Sequence, residues 1–214
     1  MQLNIKYKSN GGITQMYRKK YYEEYARLTL KYIFQYPVEN FICADKPDIQ
    51  NKTNGIGIEV TRTGNQELMK TDAYGNDFLN KKPTEKKIER FGGKFFLKDD
   101  GTVYGYSASK GLFTPSICIC SSIACALQKK KSKFNSYTKF NRMGLYCFIG
   151  FSIVDDIDIK EITALDFEPF DFLIVNSVDA VYNIENKKVK KISLTDQLED
   201  IKKMALKNAG LKNK

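Results

Sequence analysis

Lys46-Pro47-Asp48 and Glu59-Val60-Thr61 are the stretches of this sequence whose residue types and spacing could do chemistry, Glu59 falling eleven residues after Asp48. An acid at the edge of one strand and a second on the next can face one point. Convergent carboxylate oxygens suit a hard divalent cation, Mg²⁺ or Mn²⁺, better than a soft one. Such a cation activates water and stabilises charge developing on a phosphate, and needs no histidine to do it. The bland alternatives are a turn aspartate after proline and a solvent-facing glutamate on an alternating strand.

Histidine is in fact absent from all 214 residues, which removes Ser-His-Asp and Cys-His catalysis and histidine-based zinc sites. Five cysteines, Cys43, Cys118, Cys120, Cys125 and Cys147, form no CxxC pair and suggest neither a disulfide framework nor a zinc ribbon. No apolar stretch approaches the roughly 18 residues that span a membrane, and the N-terminus lacks a signal-peptide pattern. The expectation is a soluble, cytoplasmic protein without a membrane partner. With 42% apolar residues, the length suits one α/β domain over residues 1–214.

The elements that must position the acids follow from periodicity. Tyr21, Tyr25, Leu28 and Tyr32 recur at helical spacing over residues 17–34, and Pro37 ends that helix. Phe41-Ile42-Cys43 and Ile56 to Val60 read as neighbouring short strands across a polar turn. The segment from Gly64 to Asn80 reads as helical. Lys94 to Leu97 and Thr102 to Tyr106 flank Asp99-Asp100-Gly101, a hairpin signal in an exposed insertion. Thr114 and Pro115 open a long amphipathic helix reaching Phe134. GLYCFIGFSI and FDFLIVNS are apolar runs typical of strands buried on both faces. Residues 180–184 and 189–194 bracket a terminal hairpin before a last basic helix. The fold class is α/β, a mixed central sheet flanked by helices, with an inserted hairpin and a C-terminal hairpin plus helix.

A helix, then Pro47-Asp48, then Glu59-x-Thr61, then a later helix with a lysine cluster resembles the PD-(D/E)xK nuclease superfamily, the restriction-endonuclease-like fold. The resemblance spans about residues 17–177. It implies that Asp48 and Glu59 bind Mg²⁺ or Mn²⁺ and that the Val60 carbonyl adds a ligand. A lysine two positions after the glutamate would orient the attacking water, and Thr61 stands there instead. The resemblance also implies that an acid of the first helix completes the metal shell. On a helical wheel Glu24 borders the Tyr21-Tyr25-Leu28-Tyr32 face and Glu23 lies on the far side, so Glu24 is the expected third ligand.

Some members of the superfamily carry the lysine elsewhere. Counted at about 100° per residue from Cys120, Leu127 falls near −20°, Lys131 near +20° and Phe134 near −40°. Lys131 is therefore the expected substitute for the missing lysine, and its alternative is a snorkelling side chain. Lys130, about 60° off that stripe, and Lys46 are weaker candidates.

Net charge is +10, and residues 81–98 hold seven Lys and Arg against two Glu, while residues 186–214 hold nine Lys against three acids. These runs favour a nucleic acid partner, DNA above all, through Lys86, Lys87, Arg90, Lys94 and Lys130. Phe91, Phe95, Phe96, Tyr104 and Tyr106 interleave with the first run and permit base stacking or plain hairpin packing. Three readings stand: a Mg²⁺-dependent deoxyribonuclease, an inactive member of the same fold that binds nucleic acid or protein, and an α/β protein whose charge is compositional. The apolar strands allow a homodimer.

Overall fold

The computed structural model describes residues 11–63, 78–91, 94–107, 119–149, 154, 156–177 and 180–210. The chain divides into two compact units, residues 1–63 with 119–214, and residues 64–118. The second unit contains the basic segment that the sequence presents as an insertion within a single domain.

The first unit is built on a seven-stranded sheet in the order β1-β2-β3-β6-β7-β8-β9. Its strands are β1 (Ile42–Cys43), β2 (Ile49–Asn51), β3 (Ile56–Arg62), β6 (Arg142–Phe148), β7 (Phe172–Asn176), β8 (Ala180–Glu185) and β9 (Lys188–Ser193). β3, β6 and β7 run parallel, and the outer pairs are antiparallel. β6 and β7 are buried along nearly their whole length, as their unbroken apolar runs require in a sheet covered on both faces.

Side chains alternate between those faces. Ile56, Ile58, Val60, Tyr146, Phe148 and Ile174 pack under α1 (Gly11–Phe34) and α5 (Leu198–Asn208). Leu145, Cys147, Leu173 and Val175 pack under α3 (Ile119–Lys131) and α4 (Asp156–Thr163). Because α1 touches both the sheet and α5, it buries Ala26, Leu28, Thr29, Leu30 and Ile33, more of its circumference than one aromatic stripe.

Three particulars depart from the sequence expectation. The strands at 42–43 and 56–62 are not neighbours, because β2 lies between them and pairs with both. Helix α4 had no periodic signal strong enough to be read. Helix α3 ends at Lys131, and Phe134 belongs to a separate 3₁₀ turn. The terminal hairpin forms as read, with Asn186 and Lys187 at φ 50° and 60°, the left-handed pair of a tight two-residue turn. The proposed cap at Thr114-Pro115, Cys118 and most of the helical reading of 64–80 lie outside the described residues.

In the second unit, β4 (Lys94–Leu97) and β5 (Val103–Ser107) form the expected hairpin, preceded by the short helix α2 (Glu85–Arg90). Phe91 and Phe95 stack at 4.1 Å between ring centroids and make a small core with Val103.

Among the described residues no helix is long and apolar enough to cross a membrane.

Candidate functional site

Asp48 and Glu59 meet across the β2–β3 ladder. Ile49 pairs with Ile58, so the antiparallel register carried one residue further sets Asp48 opposite Glu59. Both are buried, at 4% and 7% exposure, which is rare for carboxylates and costly unless they are compensated.

The turn before β2 fixes the aspartate. Lys46 takes φ 56°. Its carbonyl accepts from the Thr138 N–H at 2.9 Å, and Ala44 N–H donates to the Asp48 carbonyl at 2.8 Å. The Gln50 amide donates to the Pro47 carbonyl at 3.3 Å. Pro47 lies so close to β3 that a Cβ at Gly57 would come within 2.9 Å of its Cγ and 2.7 Å of the Phe140 ring. Only glycine lets this turn approach.

Val60 N–H donates to Asp48 Oδ2 at 2.9 Å. In a strand the N–H and C=O of one residue point the same way. The Val60 carbonyl therefore faces the side on which Asp48 lies, in keeping with the ligand role expected of it.

Glu59 is held from the other layer. Lys130 Nζ donates to Glu59 Oε1 in a pair whose side chains are 21% and 9% exposed. Tyr137, from the segment after α3, is buried beside them, and burial together with the Glu59 charge pushes its phenol up. The Glu59 carboxyl itself sits above its ordinary range, through burial first and the charge of Asp48 second, with Lys130 opposing both. Thr61 lies two residues along β3, on the Glu59 face and partly buried.

The lysine is thus Lys130 and not Lys131, which pairs with Asp166 at 2.9 Å. The buried residues of α3 are Ile119, Ile123, Ala126 and Leu127. Measured at about 100° per residue from Ile119, these average near 25°, Lys130 falls at about 20° and Lys131 at about 120°. The sequence stripe was turned the wrong way by taking Cys120 as its centre and by counting Phe134, which lies beyond the helix.

The first-helix acid is likewise Glu23 and not Glu24. Lys19 Nζ lies 3.1 Å from Glu23 Oε1 and 3.2 Å from Asp48 Oδ1, linking the two acids. Burial raises the Glu23 carboxyl and Asp48 adds to that, while Lys19 opposes it. Glu24 turns to the α5 side, where it accepts from Arg27 at 2.9 and 3.0 Å and from Asn208 at 3.0 Å. The aromatic face used to choose between them is only one flank of a helix buried on several sides. Lys19 and Tyr137 gave no sequence signal of their own, although Lys19 and Glu23 stand at the i,i+4 spacing of a helical ion pair.

The donor set is all oxygen, as a hard cation prefers. Among the described residues no group of three or more His, Cys, Asp or Glu side chains is placed to hold a metal ion. The third acid, Glu23, stands next to Asp48 with the Lys19 ammonium bridging the two. A cation in this site would therefore rest on Asp48, Glu59 and the Val60 carbonyl, with Glu23 joining once Lys19 moved aside.

The expected nucleic-acid residues are split. Lys130 is in the site, whereas Lys86, Lys87 and Arg90 are exposed on α2 and Lys94 on β4 of the second unit.

No family model matches this chain, and neither a curated protein nor a solved structure matches it.

Proposed function

We propose that the first unit is a metal-dependent nuclease of the restriction-endonuclease-like class, hydrolysing phosphodiester bonds of DNA at Asp48, Glu59 and Lys130. The observation that carries this reading is the Lys130 ammonium seated on Glu59, directly across the ladder from Asp48. It supplies from a helix the positive charge that Thr61 lacks on the strand. The order of helix, Pro47-Asp48, Glu59 and lysine-bearing helix, brought together at one point, supports the same class.

A bound Mg²⁺ or Mn²⁺ would act as Lewis acid toward the phosphate and make water a stronger nucleophile. The chain's own residues do the rest. Asp48 is aimed by the Val60 N–H, and Glu59 by Lys130. Lys130 keeps a cation beside the carboxylates, where it can orient water and offset charge building on the phosphate. Thr61 offers a neutral hydroxyl on the same face. The net charge of +10 supports a polyanionic substrate.

A second reading, a binding protein without catalysis, is favoured by one observation, the Lys19 ammonium held between Asp48 and Glu23. Cleavage of labelled plasmid, single-stranded DNA and RNA with Mn²⁺ or Mg²⁺ separates the two. Metal-dependent cutting of DNA that is lost in Glu59→Ala is the result expected. No cutting with either metal, with salt-sensitive DNA binding retained, would leave the binding reading.

A further inference from the structure

The β4–β5 hairpin of the second unit is a two-layered object with an unusual outer face. Its inner face supplies Phe95 and Val103 to the small core with Phe91. The outer face carries Phe96 at 37% exposure and Tyr104 at 60%, their ring centroids 6.2 Å apart.

Two features of the backbone produce this pair. Phe96 is opposite Gly105 and Leu97 opposite Val103, so Tyr104 is the extra residue of a bulge. A bulge re-aims a side chain, and here the ring comes to lie beside Phe96. Gly105, across from Phe96, has no side chain to cover the ring, and a Cβ there would touch its Cδ2 at 3.4 Å.

The surroundings are cationic. Lys94 Nζ stands 5.9 Å from the Phe96 ring centroid. Lys98 stands two residues beyond Phe96, just past the end of β4, and is exposed as well. Large exposed aromatics cost free energy in water unless something covers them. A protein partner would meet those rings with an apolar surface, but the Lys94 ammonium beside them would have to be desolvated. A polyanion with flat apolar faces meets both demands at once.

We propose that the Phe96–Tyr104 face binds single-stranded nucleic acid, with bases stacking on the two rings and phosphates lying along Lys94 and Lys98. A duplex keeps its bases stacked on one another and offers the rings no face, so the preference is for single strands. This inference does not depend on the metal site.

The test is fluorescence polarisation of the full chain with labelled oligo-dT, a duplex of equal length and heparin, all in EDTA to prevent cleavage. The single-strand affinity should exceed that for duplex, and Phe96→Ala/Tyr104→Ala should weaken oligo-dT by about five- to a hundred-fold. Heparin binding and the salt dependence should stay near wild type, because the charges remain. Tyr104→Ala alone, at a residue so exposed, separates loss of stacking from loss of folding, and circular dichroism checks the fold. Unchanged oligo-dT binding in the double variant would overturn the proposal. So would equal losses on oligo-dT, duplex and heparin, the signature of charge without stacking.

Discussion

Lys130, at the C-terminal end of α3, and Glu59 of β3, seventy-one residues apart, share an ion pair. Glu59 is opposite a second buried acid, Asp48, and like charges facing each other across a ladder repel. The pair with Lys130 is therefore part of what makes two buried carboxylates tolerable at one place.

If Lys130 also serves the reaction, its removal should cost far more activity than folding. Lys130→Ala is expected to lower metal-dependent DNA cleavage by about 10²–10⁴-fold, the range for a positioned proton-transfer or charge-stabilising group. Lys131→Ala should cut at close to the wild-type rate, since its partner is the exposed Asp166. The informative double variant is Lys130→Ala/Thr61→Lys, which moves the ammonium back to the strand and should recover part of the loss. Plasmid nicking assays across the three variants decide this.

Glu23 and Glu24 are adjacent in sequence and opposite in role. Glu23→Gln should weaken Mn²⁺ binding, read by calorimetry, and should leave the α1–α5 contact intact. Glu24→Gln should leave Mn²⁺ binding unchanged and lower stability by about 1–2 kcal/mol, the usual cost of losing charge-assisted hydrogen bonds in a partly buried setting. Equal effects on metal binding would contradict the assignment.

What the sequence disclosed follows from what each signal averages over. The β6 and β7 runs were legible because a strand buried on both faces has no polar residue to interrupt it, and the terminal hairpin because two apolar-alternating runs flank the polar Asn186-Lys187-Lys188. Asp48 and Glu59 were legible as a pair because Pro47 precedes the one and an apolar strand surrounds the other. Strand β2 was not, since Ile49-Gln50-Asn51 is polar at two of three positions and gains its stability from β1 and β3 on either side. Lys130 and Glu23 were missed for a common reason. Each helical face was centred on too few of its buried positions: on α3 the stripe ran through Cys120 and Phe134 and left out Ile119, and on α1 the tyrosine face left out the buried Ala26 and Leu30 on the Glu23 side.

The raised carboxyls of Glu59 and Glu23 set the direction of the pH dependence. Each binds its proton more tightly folded than unfolded, so its favourable contribution is full below the ordinary glutamate range and is lost as pH rises through the folded value. Without divalent ions, stability should fall with rising pH above about 4.5, by up to about 1.4 kcal/mol per pH unit for each proton released. Glu59→Gln, which cannot ionise, should flatten that slope in urea titrations from pH 4 to pH 8. Mn²⁺ should offset the decline in the wild type and have no such effect in Glu59→Gln. A slope as steep in the variant would place the pH dependence elsewhere.

Gly57 offers a test of how tightly the site depends on its scaffold. Its Cβ position is bounded by the Phe140 ring at 2.7 Å and by Met143 Sδ and Pro47 Cγ at 2.9 Å. Two of these belong to well-packed neighbours, and Pro47 belongs to the turn that aims Asp48, so the turn is the part able to yield. Gly57→Ala should therefore cost about 1–3 kcal/mol in urea unfolding, as overpacking does. It should also draw Asp48 away from the Val60 N–H. Cleavage should then fall by more than the loss of folded protein accounts for, because a displacement near 1 Å can cost about 10²-fold in rate. The control is Gly101→Asn at the hairpin turn of the second unit, where φ is 80° and a Cβ meets open space. It should leave both the stability of the first unit and the cleavage rate unchanged. A Gly57→Ala variant that is destabilised yet cuts at the wild-type rate per folded molecule would show that the Pro47 turn does not set the geometry of the acids.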